Sequence, residues 1–147
     1  MKCIAYPLNT IGNYKFTVIF ARFDGRWLFT KHRRRDTWET AGGHIEPGET
    51  PLEGARRELY EETGAVEYDI APVFDYWACD EIGEREDVGW SNGMVFLARV
   101  RRLGDLPQSE MERVGLFDDL PEALTYPGIT PKIFGYLVGH VDAEMLK

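Results

Sequence analysis

Three glutamates, Glu58, Glu61 and Glu62, lie within one short stretch of the chain that carries the signals of a helix. At about 100° per residue, their side chains share an arc roughly 100° wide along one side of that helix. Carboxylates at such spacing repel one another by about 1 to 4 kcal/mol per pair unless a positive charge lies among them. A hard cation such as magnesium prefers oxygen ligands and retains several waters, so it suits an acidic cluster beside an open space. A metal held in this way neutralises the oxygens of a diphosphate and activates a water molecule for attack on phosphorus.

The helix that would hold these glutamates has clear ends. Thr50, Pro51 and Glu53 form the sequence pattern of a capping box with proline in the first helical position. Gly64 supplies the left-handed residue that commonly ends a helix. Gly54 lies one turn before the first glutamate of the cluster, and we expect its missing side chain to leave room for metal, water or substrate.

The residues around the glutamates give the cluster a more specific meaning. An acidic run of this kind is in most proteins a solvated helix face, which is the alternative to a metal site. Residues 43–65 read GHIEPGETPLEGARRELYEETGA. The spacing of the first glycine, Glu49, the Arg57-Glu58 pair and the later glutamates resembles the Nudix box at every fixed position. Ala65 is smaller than the usual closing aliphatic residue of that box.

The resemblance to the Nudix family implies a hydrolase of a nucleoside diphosphate linked to another group, with water attacking phosphorus under metal assistance. It also implies an α/β fold, a Nudix-like α/β/α sandwich with a mixed β-sheet, and possible homodimer formation. The implied cofactor is Mg2+ or Mn2+. By position, the implied metal ligands are Glu58, Glu61, Glu62 and the backbone carbonyl of Gly42, Arg57 would steady a neighbouring carboxylate, and Gly43 and Glu49 would form the structural loop.

A carboxylate must also accept the proton of the attacking water, and in Nudix hydrolases this base comes from the box or from a later loop. Glu110, in the sequence SEMER just before the last strand-like run, is the candidate from a later loop, and Glu112 is the second candidate. The alternative for both is an exposed loop glutamate without a catalytic role. We therefore group Glu110 with Arg57 and the three box glutamates as candidate catalytic residues.

The densest positive run in the chain, KHRRR at residues 31–35, precedes the box. It follows a predicted hairpin in which FTVIFARF and RWLFTKH flank an Asp24-Gly25 turn. A solvated loop is the ordinary interpretation of such a charge run. The alternative is that one or two of its side chains, Arg33 first, bind the terminal phosphates of the substrate.

Nucleobases are held by stacking and a few hydrogen bonds, so aromatic residues near the strands are candidates for substrate binding. Trp90, in the polar stretch DVGWSNG, is the aromatic residue whose surroundings least resemble a core. Asn92 beside it is a candidate for reading a base edge. The other aromatic candidates, each more often a core residue, are Trp27, Phe74, Tyr76, Trp77 and Phe96.

Outside the box, the stretches WLFTKH, Trp38-Glu39 and LPEALTYP are similar to small bacterial Nudix enzymes grouped as oxidised-dGTP diphosphatases, although Ala41 replaces a frequent proline. This implies cleavage of a nucleoside triphosphate, such as 8-oxo-dGTP, into monophosphate and pyrophosphate. The alternatives are another nucleoside diphosphate derivative, such as ADP-ribose or a dinucleoside polyphosphate, or a sensor that binds nucleotide without cleavage. A sensor would have lost a box glutamate, and none is missing. An isopentenyl diphosphate isomerase would need a cysteine near the glycine loop, and neither Cys3 nor Cys79 lies near it in the sequence.

Length and composition limit the remaining possibilities. At 147 residues, we expect a single Nudix domain over residues 1–147. The formal net charge of −8 argues against a general nucleic-acid surface, so the expected partner is a small nucleotide. The chain shows neither a signal-peptide pattern nor an apolar run long enough for a membrane span, which predicts a cytoplasmic protein. Cys3 and Cys79 form neither a disulfide framework nor a zinc motif.

The rest of the chain supplies further strands and a closing helix. Two helices around a mixed sheet make a three-layer sandwich, and residues 101–109 are the expected mobile loop. The predicted elements are a long or bulged strand over 66–81 interrupted by Pro72, a strand over 91–102, a shorter strand over 112–120, and a helix capped by Thr130 with Pro131 at its first position.

Overall fold

The computed structural model describes residues 2–79 and 91–146, and within these ranges the chain forms one β-sheet with a helix on each face. Neither of the two α-helices within these described ranges has the length and hydrophobicity that crossing a bilayer demands. In chain order the elements are β1 (Lys2–Pro7), β2 (Phe16–Phe23), β3 (Arg26–His32), β4 (Trp38–Glu39), β5 (Ala41–His44), α1 (Pro51–Thr63), β6 (Ala65–Cys79), β7 (Ser91–Leu103), β8 (Met111–Phe117), α2 (Thr130–His140) and a short 3-10 helix (Ala143–Leu146).

The sheet is mixed because one internal pair of strands is parallel. Its strands follow the order β1-β6-β7-β2-β3-β4, with β5 also paired to β2 and β8 to β3. The β2–β7 pair is parallel, and the other described pairs are antiparallel. The predicted α/β class with a mixed sheet is confirmed, and so is the hairpin formed by β2 and β3.

The two faces of the sheet carry separate apolar clusters because successive side chains of a strand point to opposite faces. On one face, Ile19 of β2 belongs to the same cluster as Leu59 of α1. On the other face, Phe20 of β2 belongs to the same cluster as Ile133 and Leu137 of α2. These side chains are fully buried, so each helix is attached to the sheet through its apolar stripe.

Helix α1 has the ends that its sequence predicts. The Thr50 hydroxyl accepts a hydrogen bond from the Glu53 N–H, the reciprocal bond of the capping box is present, and Gly64 ends the helix at φ 77°. The expected role of Gly54 is wrong, however. A Cβ on Gly54 would lie 3.3 Å from Glu49 Oε1 and 3.5 Å from Ile45 Cγ1. The preceding loop therefore fills the space that was expected for metal or substrate.

Some boundaries differ from those expected. Thr130, the predicted cap, is instead the first residue of α2, and its side chain is buried. The cap residue is Ile129, whose side chain makes no hydrogen bond to the helix. Strand β7 stays paired with β6 as far as Leu103, so the connection expected over residues 101–109 begins later. The irregularity expected at Pro72 is confirmed by a register shift between β6 and β7 immediately after it.

The parallel β2–β7 pair leaves no space beside Gly93. A Cβ on Gly93 would lie 2.5 Å from the backbone oxygen of Phe16 and 2.6 Å from a ring carbon of Tyr76. Both distances are far inside van der Waals contact, and the backbone of a paired strand cannot move aside alone. Glycine therefore permits the close approach of these strands.

We expect Gly93→Ala to lower the free energy of unfolding by about 2 to 3 kcal/mol, because the added methyl group must displace backbone and a buried ring. Gly135→Ala in α2 is the matched control: no atom lies within 4 Å of its added Cβ. Alanine has the higher helix propensity, so this variant should gain about 0.5 to 1 kcal/mol. Urea unfolding of both variants measures the difference, and equal stabilities would contradict the packing described at Gly93.

Candidate active site

A cleft of about 530 Å3 opens at the end of the sheet where β2 begins and β3 ends. The start of β2, strand β5, the start of β8 and the start of α2 contribute to its lining. From α1 it receives Glu58 and Glu62, which we call the acidic pair. The cleft is thus bordered by both layers that pack on the sheet.

Both carboxyl groups of the acidic pair have raised pKa values. Glu62 Oε1 accepts a hydrogen bond of 2.8 Å from the Gly42 N–H. Burial raises the pKa of Glu62 to about 8, and the carboxylate of Glu58 adds to this effect, whereas the Gly42 hydrogen bond opposes it. Burial also raises the pKa of Glu58, although its hydrogen bond from Arg57 acts in the other direction. Perturbed carboxylates in a cleft are typical of a functional site.

Arg57 connects the acidic side of α1 to the chain that precedes it. Its Nε and Nη2 donate to the two carboxylate oxygens of Glu49 at 2.7 and 3.0 Å, which is a bidentate pair. Its Nη1 donates to Glu58 Oε1 at 2.9 Å and to Glu61 Oε2 at 3.3 Å. Its Nη2 also donates to the backbone oxygen of His44 at 3.1 Å. One guanidinium therefore donates hydrogen bonds to three carboxylates and to the end of β5.

Glu49 and Gly43 lie where the loop faces α1. Glu49 Oε1 accepts a hydrogen bond of 2.8 Å from the Glu46 N–H, which closes the loop on itself. Hydrogen bonds from Arg57 lower the pKa of Glu49 to about 2. A Cβ on Gly43 would lie 2.9 Å from Glu58 Oε1, so glycine allows β5 to approach that carboxylate.

Gly42 cannot be replaced without a clash. Its φ is 143°, and a Cβ would lie 2.2 Å from the backbone oxygen of Thr17 on β2. The N–H of Gly42 is committed to Glu62, as described above. Gly42 therefore lies beside the acidic pair, and the role of its carbonyl as a metal donor stays a prediction.

The candidate metal ligands have suitable chemistry but are not gathered together. Within residues 2–79 and 91–146, no three His, Cys, Asp or Glu side chains converge closely enough to hold a metal ion. Glu61 lies against Arg57, and its side chain is 47% exposed. The partly buried acidic pair, its raised pKa values and the oxygen-only donor set nevertheless fit a hard divalent cation. Binding such an ion requires the carboxylates of Glu58 and Glu61 to turn away from Arg57.

Arg35, rather than Arg33, is the arginine that lines the cleft. Arg33 Nε donates to the backbone oxygen of Ser109 at 3.0 Å, so the first expected phosphate contact holds a neighbouring loop instead. Arg35 Nη1 lies 3.3 Å from Glu39 Oε2, and hydrogen bonding to Tyr126, together with Glu39, raises the pKa of Arg35. Sequence reasoning could not choose among the arginines because their orientations depend on how the turn after β3 closes.

The two candidate bases from the later loop lie in different surroundings. Glu110 lines the cleft, and its side chain is 84% exposed. Glu112 Oε2 accepts a hydrogen bond of 2.7 Å from Lys31 Nζ, and this contact lowers the pKa of Glu112. Among the described residues, the lining of the cleft includes Glu110 and not Glu112. The geometry therefore favours Glu110 of the two.

The expectation that Asn92 reads a base edge is corrected by its contacts. Its side chain is buried, Oδ1 accepts a hydrogen bond of 3.1 Å from the Lys15 N–H, and Nδ2 donates to the backbone oxygen of Asn13 at 3.2 Å. Both ends of the amide thus hold the chain before β2 in place, and Asn92 is not among the described residues that line the cleft. Trp90 lies outside the described residues.

Five apolar or aromatic residues, which we call the apolar wall, also contribute to the lining of the cleft. Trp27, Phe74, Tyr76 and Phe96 are all buried in the two cores, and of these four only Tyr76 also lines the cleft. The other members carry no motif in the sequence, and only the packing of the last segments against the sheet brings them together. The apolar wall consists of Phe16, Tyr76, Tyr126, Ile129 and Ile133.

Glu62→Gln is expected to stabilise the metal-free protein at about pH 8 by about 1 to 3 kcal/mol. The pKa of Glu62 in the folded protein lies above its ordinary value of 4.5, so the wild-type free energy of unfolding falls as the pH rises between 4.5 and about 8. The variant lacks this loss. Urea unfolding in EDTA at about pH 5, 7 and 9 measures it. Glu61→Gln, at a half-exposed position, is the control, and a Glu62→Gln difference independent of pH would contradict the prediction.

Comparison with known proteins identifies the family. The family model for the NUDIX domain matches residues 13–128. A Bacillus subtilis (strain 168) protein named as a candidate 8-oxo-dGTP diphosphatase, YtkD, is 34% identical over 113 residues, which cover 76% of this chain and 66% of that protein. An RNA pyrophosphohydrolase of Halorhodospira halophila is 43% identical over 54 residues, which cover 37% of this chain and 30% of that protein. The chain therefore spans less than two thirds of the length of these relatives.

Solved structures agree with this match. The pyrophosphohydrolase BsRppH of Bacillus subtilis has a TM-score of 0.68 and 27% identity, with coverage of 82% of this chain and 73% of that chain. A UDP-X diphosphatase, at 22% identity, has a TM-score of 0.65 over 94% of this chain and 66% of that chain, and it supports the fold alone. Because the family model covers strand β5, helix α1 and most of the sheet, this chain belongs to the Nudix hydrolase family.

Proposed function

We propose that this protein hydrolyses a phosphoanhydride bond in a nucleoside diphosphate derivative with the help of Mg2+ or Mn2+. The observation that carries the proposal is the partly buried acidic pair, Glu58 and Glu62, which lines the same cleft as the apolar wall. Acidic ligands for a metal and an apolar surface for a base are the two requirements of such a substrate. The cytoplasmic location and the homodimer stay predictions.

The chemistry would be divided between the box and the rest of the cleft. Glu58, Glu61, Glu62 and the carbonyl of Gly42 would hold the cation, which supplies charge neutralisation at the diphosphate and activation of a water. Arg57 donates hydrogen bonds to Glu58 and Glu61 in the metal-free arrangement and partly balances their negative charge. The proton of the attacking water would pass to a carboxylate, and Glu110 is our candidate for this step.

We propose that the substrate is a nucleoside triphosphate, oxidised or not, with 8-oxo-dGTP as the leading candidate. Its hydrolysis would release the monophosphate and pyrophosphate. The cleft volume of about 530 Å3 lies within the usual range for small-molecule sites. The apolar wall suits stacking of a base, and Arg35 suits an anionic phosphate group. The name of the Bacillus subtilis relative supports this substrate, whereas the RNA pyrophosphohydrolase relatives support including triphosphorylated RNA in the test.

A panel of substrates incubated with Mg2+ and read by phosphate or pyrophosphate release tests the reaction. It comprises 8-oxo-dGTP, the ordinary nucleoside triphosphates, ADP-ribose, a dinucleoside polyphosphate and triphosphorylated RNA. We expect turnover to fall by about two orders of magnitude or more in Glu61→Gln and Glu62→Gln, because each loses a ligand charge but keeps its volume.

Near-normal release by either folded variant would refute the assignment of these glutamates to the metal. Binding of a panel member without turnover by the wild-type protein would instead favour a nucleotide sensor. Circular dichroism of each variant verifies that the loss of activity does not come from unfolding.

Arg35→Ala is expected to raise the KM for a triphosphate substrate about tenfold and to weaken the dependence of KM on salt, because a cleft charge that meets phosphate is lost. Arg34→Ala is the matched control, since Arg34 is an exposed member of the same basic run that does not line the described cleft. Steady-state kinetics at low and high salt decide the point. Equal KM values for the two variants would remove Arg35 from phosphate binding.

A further inference from the structure

We propose that His32 is a positioning residue that orients the carboxylate of Glu110 over the cleft, so that Glu110 can accept the proton of the attacking water. This inference rests on the proposed function and deepens it. It assigns a role to the second residue of the basic run, which the chemistry described above leaves unused. Both side chains line the cleft that contains the acidic pair.

An irregularity in the sheet brings these two residues together. Lys31 of β3 pairs with Arg113 of β8, but the next residue, His32, pairs with Met111. Glu112 is therefore an extra residue on β8, as in a β-bulge, and bulges re-aim side chains next to functional sites.

The irregularity gives each glutamate of the SEMER sequence a different basic partner. Glu112 accepts a hydrogen bond from Lys31 at 2.7 Å. Glu110 Oε2 lies 3.6 Å from His32 Nε2 at the cleft. The strand register thus places Glu112 in a surface ion pair and Glu110 at the cleft.

The hydrogen bonds of the imidazole determine which nitrogen faces Glu110 with a proton. His32 Nδ1 lies 3.1 Å from the backbone N–H of Arg34, which donates to it. A neutral imidazole has one donor and one acceptor nitrogen, so Nδ1 as acceptor leaves the proton on Nε2. The Nε2–H of neutral His32 is therefore the group directed at the carboxylate of Glu110.

The side chains of His32 and Glu110 differ in exposure. A positioning contact requires one partner that is held in place and one that can be oriented. The His32 side chain is 17% exposed and is held by the turn, whereas the Glu110 side chain is 84% exposed. The backbone around Glu110 is fixed, because the Arg33 N–H donates to the Glu110 carbonyl oxygen at 2.9 Å and Arg33 Nε donates to Ser109. Only the Glu110 side chain remains to be oriented, and a small rotation brings it into hydrogen-bond range of His32.

In the step that follows, one O–H bond of the attacking water breaks and its proton moves to the carboxylate of Glu110. The water oxygen forms a bond to phosphorus, and the bond from phosphorus to the bridging oxygen breaks with its electron pair remaining on that oxygen. His32 keeps its proton throughout and holds the second carboxylate oxygen. Among the described residues, the other charged or titratable side chains that line the cleft are Arg35, Glu39, His44, Glu46, Glu58, Glu62, Tyr76 and Tyr126.

A double-mutant cycle on the best substrate of the panel tests the coupling. We expect kcat to fall about tenfold in His32→Ala and about a hundredfold in Glu110→Gln, with KM within about twofold of wild type. The double variant should match Glu110→Gln alone, because His32 acts only through that carboxylate. Losses that multiply in the double variant, or a change confined to KM, would overturn the proposal.

Two further variants separate positioning from a purely structural effect. His32→Gln places an amide N–H near the position of Nε2 and should restore kcat to within about threefold of wild type, whereas His32→Asn should not. Glu112→Gln is the matched control for Glu110→Gln, since it neutralises the glutamate that faces Lys31 outside the described lining of the cleft. A loss in Glu112→Gln equal to that in Glu110→Gln would overturn the proposal.

A measurement without turnover keeps this inference distinct from the proposed function. Long-range 1H–15N correlation spectra of the histidine rings, assigned with His32→Gln, should show the Nε2–H tautomer of His32 at about pH 8. The Nε2 resonance should shift in Glu110→Gln and stay unchanged in Glu112→Gln. The Nδ1–H tautomer, or a resonance insensitive to Glu110→Gln, would overturn the contact even if the wild-type enzyme is fully active. Absence of turnover by the wild-type protein would instead count against the proposed function.

Discussion

The multiple contacts of one guanidinium, that of Arg57, hold the acidic edge of the cleft in place. It binds Glu49 in the loop before α1, Glu58 within α1 and the backbone of His44 at the end of β5. Partly buried charges are tolerated only when their partners satisfy them, and Arg57 supplies this compensation for its neighbours. The rigid fork of arginine also fixes the distances among these elements. Together with the hydrogen bond from the Gly42 N–H to Glu62, the contact of Arg57 with His44 ties β5 to α1.

Arg57 does not compensate the carboxyl group of Glu62, and Glu62 is one of the proposed metal ligands. Glu62 has a pKa of about 8 because burial outweighs the single hydrogen bond from Gly42. A carboxylate in this state holds a proton near neutral pH, and that proton has to leave before the oxygen can ligate a cation. The fold therefore carries a local cost that metal binding would relieve, as active sites commonly do at the expense of stability.

Local signals in the sequence were sufficient for the elements that carry the box. The ends of α1 follow from Thr50, Pro51, Glu53 and Gly64, because capping depends on atoms a few residues apart. The β2–β3 hairpin follows from its turn residues and the alternation of its strands. The acidic arc of α1 follows from helical geometry alone. Gly54 was misjudged because its neighbours, Glu49 and Ile45, come from a loop whose path the helix does not determine.

The sequence by itself determined the family and the mixed α/β architecture, since these depend on residue type and short spacing. Only the tertiary structure decided that Arg35 and not Arg33 lines the cleft, that Asn92 holds the chain before β2, and that Glu110 rather than Glu112 borders the cleft. For Glu110 and Glu112 the physical reason is strand register, because a one-residue irregularity between β3 and β8 redirects the side chains beyond it. That register is set by pairing between residues about 80 positions apart, which short-range patterns do not encode.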